Sequence, residues 1–311
     1  MKILALKGQE RRTIRSGFEK FLPHLLILYT VVLAGTAETA ETGIPEAGKI
    51  IFIALLIGIE GLLLLWGEKR SIRDIATIVA VGFIIWKTAA MKMADTSMML
   101  YPQPEQVFAV YYTDWRKILS GIGSSMYLLG SGFTLAVGLG IMLGIITGIV
   151  CRMREALLPI AKVIAPIPPI IYTPYAVAVL PSFEIASVFV IFSSIFWPVY
   201  IQMILSVSGI DRKLLDSARA LNLKPLTLLR RVLFPYCLPR IMKTLPISIA
   251  NAFMVLTAAE MIGATSGLGY FVRYYADFAD YTRVIAGILL IGVVVSILNI
   301  AITWLERSLI R

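Results

Sequence analysis

The stretch GIDRKLLDSARALNLKPLTLLRRVLFPYCLP, residues 209–239, carries eight charged residues between two long apolar segments. Because charges are costly inside a bilayer, this stretch is predicted to lie in water. Asp211 is suited to cap a helix that continues to Leu221, since its carboxylate can accept the free N–H groups of the first turn. Pro225 favours the first turn of a second helix. The stretch therefore predicts a helix, a sharp turn and a second helix on the surface of a membrane protein, a shape that fits a partner's groove.

One face of the first predicted helix is apolar. Leu214, Ala218 and Leu221 have the spacing that places side chains on a common face. Asn222 follows them, and Asn tolerates the left-handed backbone conformation in which many helices end. We expect this face to contact a partner protein.

The same stretch resembles the cytoplasmic signature of the membrane subunits of ATP-binding-cassette importers. That signature is Glu-Ala-Ala, three residues, Gly, nine residues, then Ile-x-Leu-Pro. The chain has Asp216-Ser217-Ala218, Asn222 and Val232-Leu233-Phe234-Pro235 at those spacings without a gap, and only Ala218 and Pro235 are identical to the signature. An ordinary basic loop between membrane helices is the alternative to this reading. The resemblance implies that the ATPase-coupling residues are Leu214, Asp216, Ser217, Ala218, Arg219, Leu221, Asn222 and Pro235.

Three further runs resemble the nitrate, sulfonate, taurine and bicarbonate branch of these importers in order and spacing. They are Tyr101-Pro102-Gln103-Pro104, Ala165-Pro166-Ile167-Pro168-Pro169, and Ala259-Glu260-Met261-Ile262-Gly263 followed by Ser266-Gly267-Leu268-Gly269-Tyr270. The resemblance extends from about residue 71 to the C-terminus. It divides the chain into a basic N-terminal segment with an extra transmembrane hairpin at 1–70 and an importer transmembrane domain at 71–311, with a coupling loop at 209–243.

Composition indicates a membrane protein independently of the resemblance. The chain has 311 residues, of which 58% are hydrophobic and only 15% charged, so a bilayer must solvate much of its apolar surface. The predicted fold is an all-α membrane protein with about eight transmembrane helices, a six-helix type I importer core plus an N-terminal two-helix extension. The predicted spans lie at 21–37, 50–66, 75–91, 118–150, 163–183, 185–210, from 244 past 260, and 284–305.

The positive charges indicate the orientation. Placing the N-terminus inside puts most of the 29 lysines and arginines on the cytoplasmic side, together with the loop at 209–243, as the positive-inside rule requires. Both termini are therefore expected in the cytoplasm of a prokaryotic cell, with the chain crossing the inner membrane. The net charge of +10 is mainly a topology signal, and no nucleic-acid partner is expected. A disulfide between Cys151 and Cys237 is not expected in that reducing compartment.

Two carboxylates fall inside apolar runs. Glu60 is either an ion site or a helix-contact residue that is hydrogen-bonded in a crevice, and the lone His24 is assigned no role. Glu260 precedes a Gly/Ser-rich break where irregular backbone can line a water-filled path, and the resemblance implies a carboxylate there. A structural role for Glu260 stays open. The expected lining of the path comprises Pro168, Pro169, Glu260, Ser266, Gly267 and Gly269.

No catalytic or metal-binding pattern is present in the sequence. It has no phosphate-binding Gly-x-x-x-x-Gly-Lys-Ser/Thr loop, no metal-spaced Cys/His set and no nucleophile with a recognisable base. The chain is expected to be no enzyme and to hold no cofactor or metal. The resemblance implies that ATP and Mg are bound by separate ATPase subunits, and that the partners are a solute-binding protein and membrane lipid. A single chain would form half a pathway, so a homodimer is expected.

These observations predict the permease subunit of an ATP-driven importer for a small anionic or polar solute. An ion-coupled secondary transporter or channel that uses Glu60 and Glu260 is the alternative. A membrane enzyme is a third class, and the absence of a catalytic set weighs against it. The sequence shows no charge cluster that identifies the solute.

Overall fold

The computed structural model describes residues 21–35, 46–97, 100–211, 213–214, 218, 220–221 and 223–309. Helices account for most of these residues, and no strand occurs among them. In chain order the helices are α1 Phe21–Gly35, α2 Glu46–Trp66, α3 Arg70–Ser97, α4 Pro104–Thr113, α5 Trp115–Ile149, α6 Cys151–Ile164, α7 Pro169–Val179, α8 Phe183–Ser208, α9 Pro225–Leu228, α10 Phe234–Gly263, α11 Leu268–Asp277 and α12 Tyr281–Leu309. A π-helical turn, Leu229–Leu233, joins α9 to α10 without a break.

The helices account for the predicted spans. Among the described residues, six helical stretches are long and apolar enough to cross a membrane: α2, α3, α5, α8, α12, and α10 together with the turn before it. The bent pair α6 and α7 adds a seventh if it forms one span, and α1 is a shorter apolar helix. The predicted all-α membrane fold is confirmed. The predicted count of eight is reached only when α1 and the bent pair are both included.

The proline-rich fifth span is not one straight helix. The axes of α6 and α7 meet at 89°, and Pro166 and Pro168 lie in the connection. Each proline removes a backbone donor and disfavours helical geometry in the residue before it, so the helix ends here. Pro168 and Pro174 are exposed and Pro169 is half-buried in the single chain. Pro168 and Pro169 were predicted to line the path, and their exposure in a single copy leaves that prediction untested.

The described chain forms two compact units. The first lies within residues 1–116 and 275–286, and the second within 117–274 and 287–311. Helix α12 contributes to both units. The predicted boundary at residue 70 marks where the resemblance to importer permeases begins. It does not describe how the chain packs in space, so the two compact units do not test it and it stays a prediction.

The first unit joins α2, α3 and α4 through close and polar contacts. Gly48 lies so near α4 that a Cβ atom there would be 2.1 Å from the carbonyl oxygen of Glu105. The Lys87 ammonium of α3 is fully buried, 2.6 Å from the Glu105 carboxylate and 2.9 Å from the Gln103 side-chain oxygen. A buried cation of this kind needs its partners, because an unpaired charge would be strongly destabilising.

The second unit is built around α8, which packs against α5 and α10. Glycines on one face of α5 allow the close approach: a Cβ atom at Gly144 would lie 2.6 Å from Cβ of Met203, and Gly140 and Gly148 abut Val199 and Val207. Glycines spaced by four residues permit close helix contact, and these three make such a contact, whereas a Cβ atom at Gly138 would meet nothing within 4 Å.

Candidate functional site

Glu260 holds together the Gly/Ser-rich break after α10. Its side chain is only 1% exposed. One carboxylate oxygen accepts a hydrogen bond from the Ser125 hydroxyl of α5 at 2.6 Å, and the other accepts the backbone N–H of Gly269 at 2.7 Å. Ser125 in turn accepts the N–H of Leu268 at 3.0 Å. These two N–H groups open α11, where the free donors and the helix dipole favour a negative charge.

Arg273 makes the reciprocal contact from α11. Its guanidinium donates hydrogen bonds to the carbonyl oxygens of Met261 and Ile262, the latter at 3.1 Å, at the C-terminal end of α10. A cation is favourable at that end of a helix. The carboxylate therefore binds the start of α11, the guanidinium binds the end of α10, and residues 264–267 are held at both ends.

Gly267 is required by this arrangement. Its φ angle is +127°, a conformation that residues with a Cβ atom rarely adopt. A Cβ atom there would also lie 2.4 Å from Cδ of Glu260. The break is thus a defined loop closed over a buried carboxylate.

The predicted path residues do not form one site. Glu260 is buried with a hydrogen bond to each oxygen, so it supports the break, and its place beside a path stays a prediction. Ser266 is exposed, and its hydroxyl lies 2.8 Å from that of Ser124. Helix α7 reaches the break through Val177, near Gly263. Pro168 and Pro169 lie at the opposite end of that helix.

Sequence reasoning missed Ser124, Ser125 and Arg273. Ser125 lies 135 residues from Glu260, so no local pattern connects the two. The available signal was a pair of adjacent serines in a span without charges. Arg273 was counted only as a charge for orientation.

The described residues of the predicted coupling helix show a cap at its N-terminal end and a closing hydrogen bond at its C-terminal end. The Asp211 side chain accepts the N–H of Lys213 at 3.0 Å, which confirms the predicted cap. The N–H of Leu223 donates to the carbonyl of Ala218 at 3.3 Å, and a bond of this spacing closes many helix C-termini. The predicted residues Asp216, Ser217, Arg219 and Asn222 lie outside the described residues.

The apolar face of that helix is divided in two. Leu214 is 40% and Leu221 73% exposed, whereas Ala218 is only 6% exposed. Ala218 therefore packs against the chain itself, and the two leucines are available to a partner. Pro235, the last residue of the signature, is exposed in the first turn of α10.

Glu60 in the first unit has a partner that sequence reasoning did not identify. Its carboxylate contacts Nδ1 of His24 across α1 and α2. The other carboxylate oxygen is buried and has no hydrogen-bond partner among the described residues. The geometry agrees with the helix-contact interpretation of Glu60, and it corrects the assignment of no role to His24.

Comparison with known families gives this arrangement its context. The profile of the family described as binding-protein-dependent transport system inner membrane component matches residues 136–311. The chain belongs to this family. The matched region of this permease contains the predicted coupling helix, α10, Glu260 and α11, whereas α1 to α4 precede it.

Individual relatives agree with that assignment. The permease is 30% identical to the putative aliphatic sulfonates transport permease protein SsuC of Bacillus subtilis, over 75% of this chain and 84% of the relative. It is 30% identical to the nitrate import permease protein NrtB of Leptolyngbya laminosa, over 61% and 68%. It is 28% identical to the taurine transport system permease protein TauC of Escherichia coli, over 78% and 91%. The predicted branch is confirmed.

A solved structure supports the fold. A chain of the MetNI methionine ABC transporter, in an inward-facing conformation, superposes with a TM-score of 0.50 at 17% identity, covering 63% of this permease and 96% of that chain. At this identity the likeness concerns the fold alone, and it confirms the predicted type I importer fold.

Proposed function

We propose that this permease forms the translocation path of an ATP-driven importer for a small oxyanion or a solute that carries one, such as nitrate, bicarbonate, taurine or another sulfonate. The observation that carries the proposal is the similarity, over three quarters of the chain, to permeases named for aliphatic sulfonates and taurine. A shorter match leads to a permease named for nitrate. The solutes in these names share a compact group of oxygens that bears negative charge.

The proposed complex contains two copies of the permease, two ATPase subunits that bind ATP and Mg, and a binding protein that delivers solute from outside. The ATPases meet the permease at the helix capped by Asp211, on the cytoplasmic side with both termini. Exposure of Leu214 and Leu221 supports this contact, because exposed apolar side chains on a water-facing helix suit a partner's groove. Asp216 is proposed to act at the rim of the contact, where an ion pair is weaker.

The geometry suggests how movement of the coupling helix reaches the membrane. The chain is helical from Pro225 through the π turn to Gly263, about 55–60 Å measured along the helix at ~1.5 Å per residue. The far end of this helical segment is bound to α11 through Glu260 and Arg273. A displacement at the ATPase is therefore passed to the break, and the two nucleotide states of the ATPase favour different arrangements of the path.

The alternative, an ion-coupled secondary transporter or channel, has weaker support. Glu260 accepts hydrogen bonds from the Ser125 hydroxyl and the N–H of Gly269, and Glu60 contacts His24, so both carboxylates already have partners within the chain. The similarity to permeases named for sulfonates and taurine favours the importer.

Reconstitution of the complex tests the proposal. The permease would be placed in proteoliposomes with its cognate ATPase and binding protein, and uptake of labelled nitrate, bicarbonate, taurine and ethanesulfonate would be measured. We expect uptake of at least one of these that requires both ATP and the binding protein. Uptake driven by a proton or sodium gradient, with no ATPase present, would contradict the proposal and support the alternative.

A further inference from the structure

A crevice opens between α8 and α10 in the second unit. Its volume is about 320 Å³, ample for a solute with a few heavy atoms. The residues that line it are Pro198, Gln202, Arg240, Lys243, Thr244, Ile247, Ser248 and Asn251.

The lining follows a helical pattern that composition alone does not reveal. The residues from α10 recur every three to four positions, so they form one face of that helix. Pro198 and Gln202 of α8 are four residues apart and face them. Polar side chains along one face of a membrane span need water or a partner. Arg240 and Lys243 had been counted only as charges of the cytoplasmic loop.

The crevice carries two positive charges that no described carboxylate neutralises. Neither Arg240 nor Lys243 makes an ion pair with a carboxylate within the part of the chain that the structure describes, and no Asp or Glu lines the crevice. The Arg240 guanidinium lies over the ring of Tyr236, 5.5 Å from its centroid. The guanidinium donates no hydrogen bond to another described residue.

We propose that this crevice is a binding site for a small oxyanion on the solute path. Arg240 supplies a planar fork of N–H donors that matches an oxyanion, and Lys243 supplies a second cation. The side-chain amides of Gln202 and Asn251 provide further donors, whereas the Thr244 hydroxyl already donates to the backbone carbonyl of Arg240 at 3.2 Å. Apolar walls such as Ile247 and Pro198 lower the local dielectric constant and strengthen the attraction. The inference rests on the proposed function and identifies its solute as an anion.

A cysteine-labelling experiment tests the site in the purified permease alone, without an ATPase. Asn251 is exposed in the crevice and would be replaced by Asn251→Cys. The exposed Cys151 would be changed to serine, whereas the buried Cys237 is retained. Labelling rates would be compared for anionic methanethiosulfonate ethylsulfonate and neutral methyl methanethiosulfonate. Because both reagents undergo the same reaction, the ratio of their rates reports the attraction of the crevice for an anion.

We expect the double variant Arg240→Gln and Lys243→Gln to lower this ratio about ten-fold, since a cleft lined by one sign of charge raises the local concentration of the opposite ion by about ten-fold or more. The control pair Arg152→Gln and Lys162→Gln removes two exposed cations that do not line the crevice and should leave the ratio unchanged. The exchange Arg240→Lys with Lys243→Arg keeps the charge and should retain most of the ratio. An unchanged ratio in the double glutamine variant would overturn the site.

The phosphate of a lipid headgroup offers the same chemistry as a free oxyanion. Nitrate, ethanesulfonate and glycerol 3-phosphate would therefore be tested as protectants of the cysteine. Slower labelling with nitrate or ethanesulfonate, lost in the double glutamine variant, supports the proposal. Protection by glycerol 3-phosphate alone would identify a lipid contact and overturn it.

Transport separates the failure of this site from the failure of the proposed function. In the reconstituted complex, the double glutamine variant should reduce anion uptake at least ten-fold while it still co-purifies with the ATPase. Uptake at the parental rate would overturn the site and leave the importer function intact. Charge-dependent labelling in a permease that shows no ATP-driven uptake would support the site and contradict the proposed function.

Discussion

At the scale of the residue, Glu260 illustrates how a buried carboxyl group in a membrane span is satisfied. Its oxygens accept one hydroxyl and one backbone N–H. A glutamine side chain has only one oxygen, so one of these two donors would lose its acceptor. We therefore expect Glu260→Gln to cost about 1.5–3 kcal/mol of stability, and to impair transport because the break at residues 264–267 loses its support.

Thermal unfolding in detergent measures this effect. Ser125→Ala should also destabilise, and the double variant with Glu260→Gln should cost less than the sum, because both residues belong to one network. The matched control is Ser131→Ala on the same helix, whose hydroxyl donates only to the carbonyl of Tyr127. Equal losses for the two serine variants would contradict a special role for Ser125.

At the scale of the element, two glycines of α5 show that only some glycines are needed for helix packing. A Cβ atom at Gly144 would collide with Met203 of α8, whereas one at Gly138 would meet nothing within 4 Å. We expect Gly144→Ala to destabilise by about 1–3 kcal/mol, because overpacking forces the helices apart. Gly138→Ala should be neutral or slightly stabilising. The melting temperatures of the two variants give the comparison, and a loss that is equal in both would be the contrary result.

The coupling helix allows a second prediction for an element. Leu221→Asp places a charge where an apolar contact with the ATPase is proposed, and burying it would cost several kcal/mol without a partner. We expect this variant to lose co-purification with the ATPase, while the permease itself still folds. Ala218→Asp is a poorer test, because Ala218 is buried within the chain and its change would disturb the loop directly.

Ala220→Asp is the matched control for Leu221→Asp. Ala220 is exposed and lies on a different face of the same helix, so its variant should retain the ATPase. If Leu221→Asp co-purifies normally and keeps solute-stimulated ATP hydrolysis, this helix is not the coupling element.

At the scale of the whole molecule, the predicted eight-span topology requires that both N-terminal helices, α1 and α2, cross the membrane. Apolar α1 and α2 are joined through His24 and Glu60, and the loop that connects them, at residues 36–45, lies outside the described residues. The sequence predicts that this loop faces outward. A cysteine at Glu41, in the Cys151→Ser background, should react in intact cells with a maleimide that does not cross membranes. Arg152→Cys, on the predicted cytoplasmic side, should react only after lysis, and the reverse pattern would refute the eight-span topology.

Local chemistry was enough for the sequence to determine the class of this protein. Long apolar runs predict helices that cross a membrane, the Asp211 cap depends on neighbouring residues, and the spacing from Asp216 to Pro235 lies within one segment. Each of these properties belongs to residues close together in the chain, so the sequence displays it directly.

Only the tertiary structure decided which distant groups meet. Ser125 reaches Glu260 across 135 residues and His24 reaches Glu60 across 36, and no local pattern predicts such pairs. Likewise, Ala218 faces the chain although it shares a helix with the exposed leucines. Arg240 and Lys243 appear in the sequence as loop charges, and they line a crevice only because α8 packs beside α10. Burial and hydrogen bonding depend on packing between helices, which the order of residues along one helix does not specify.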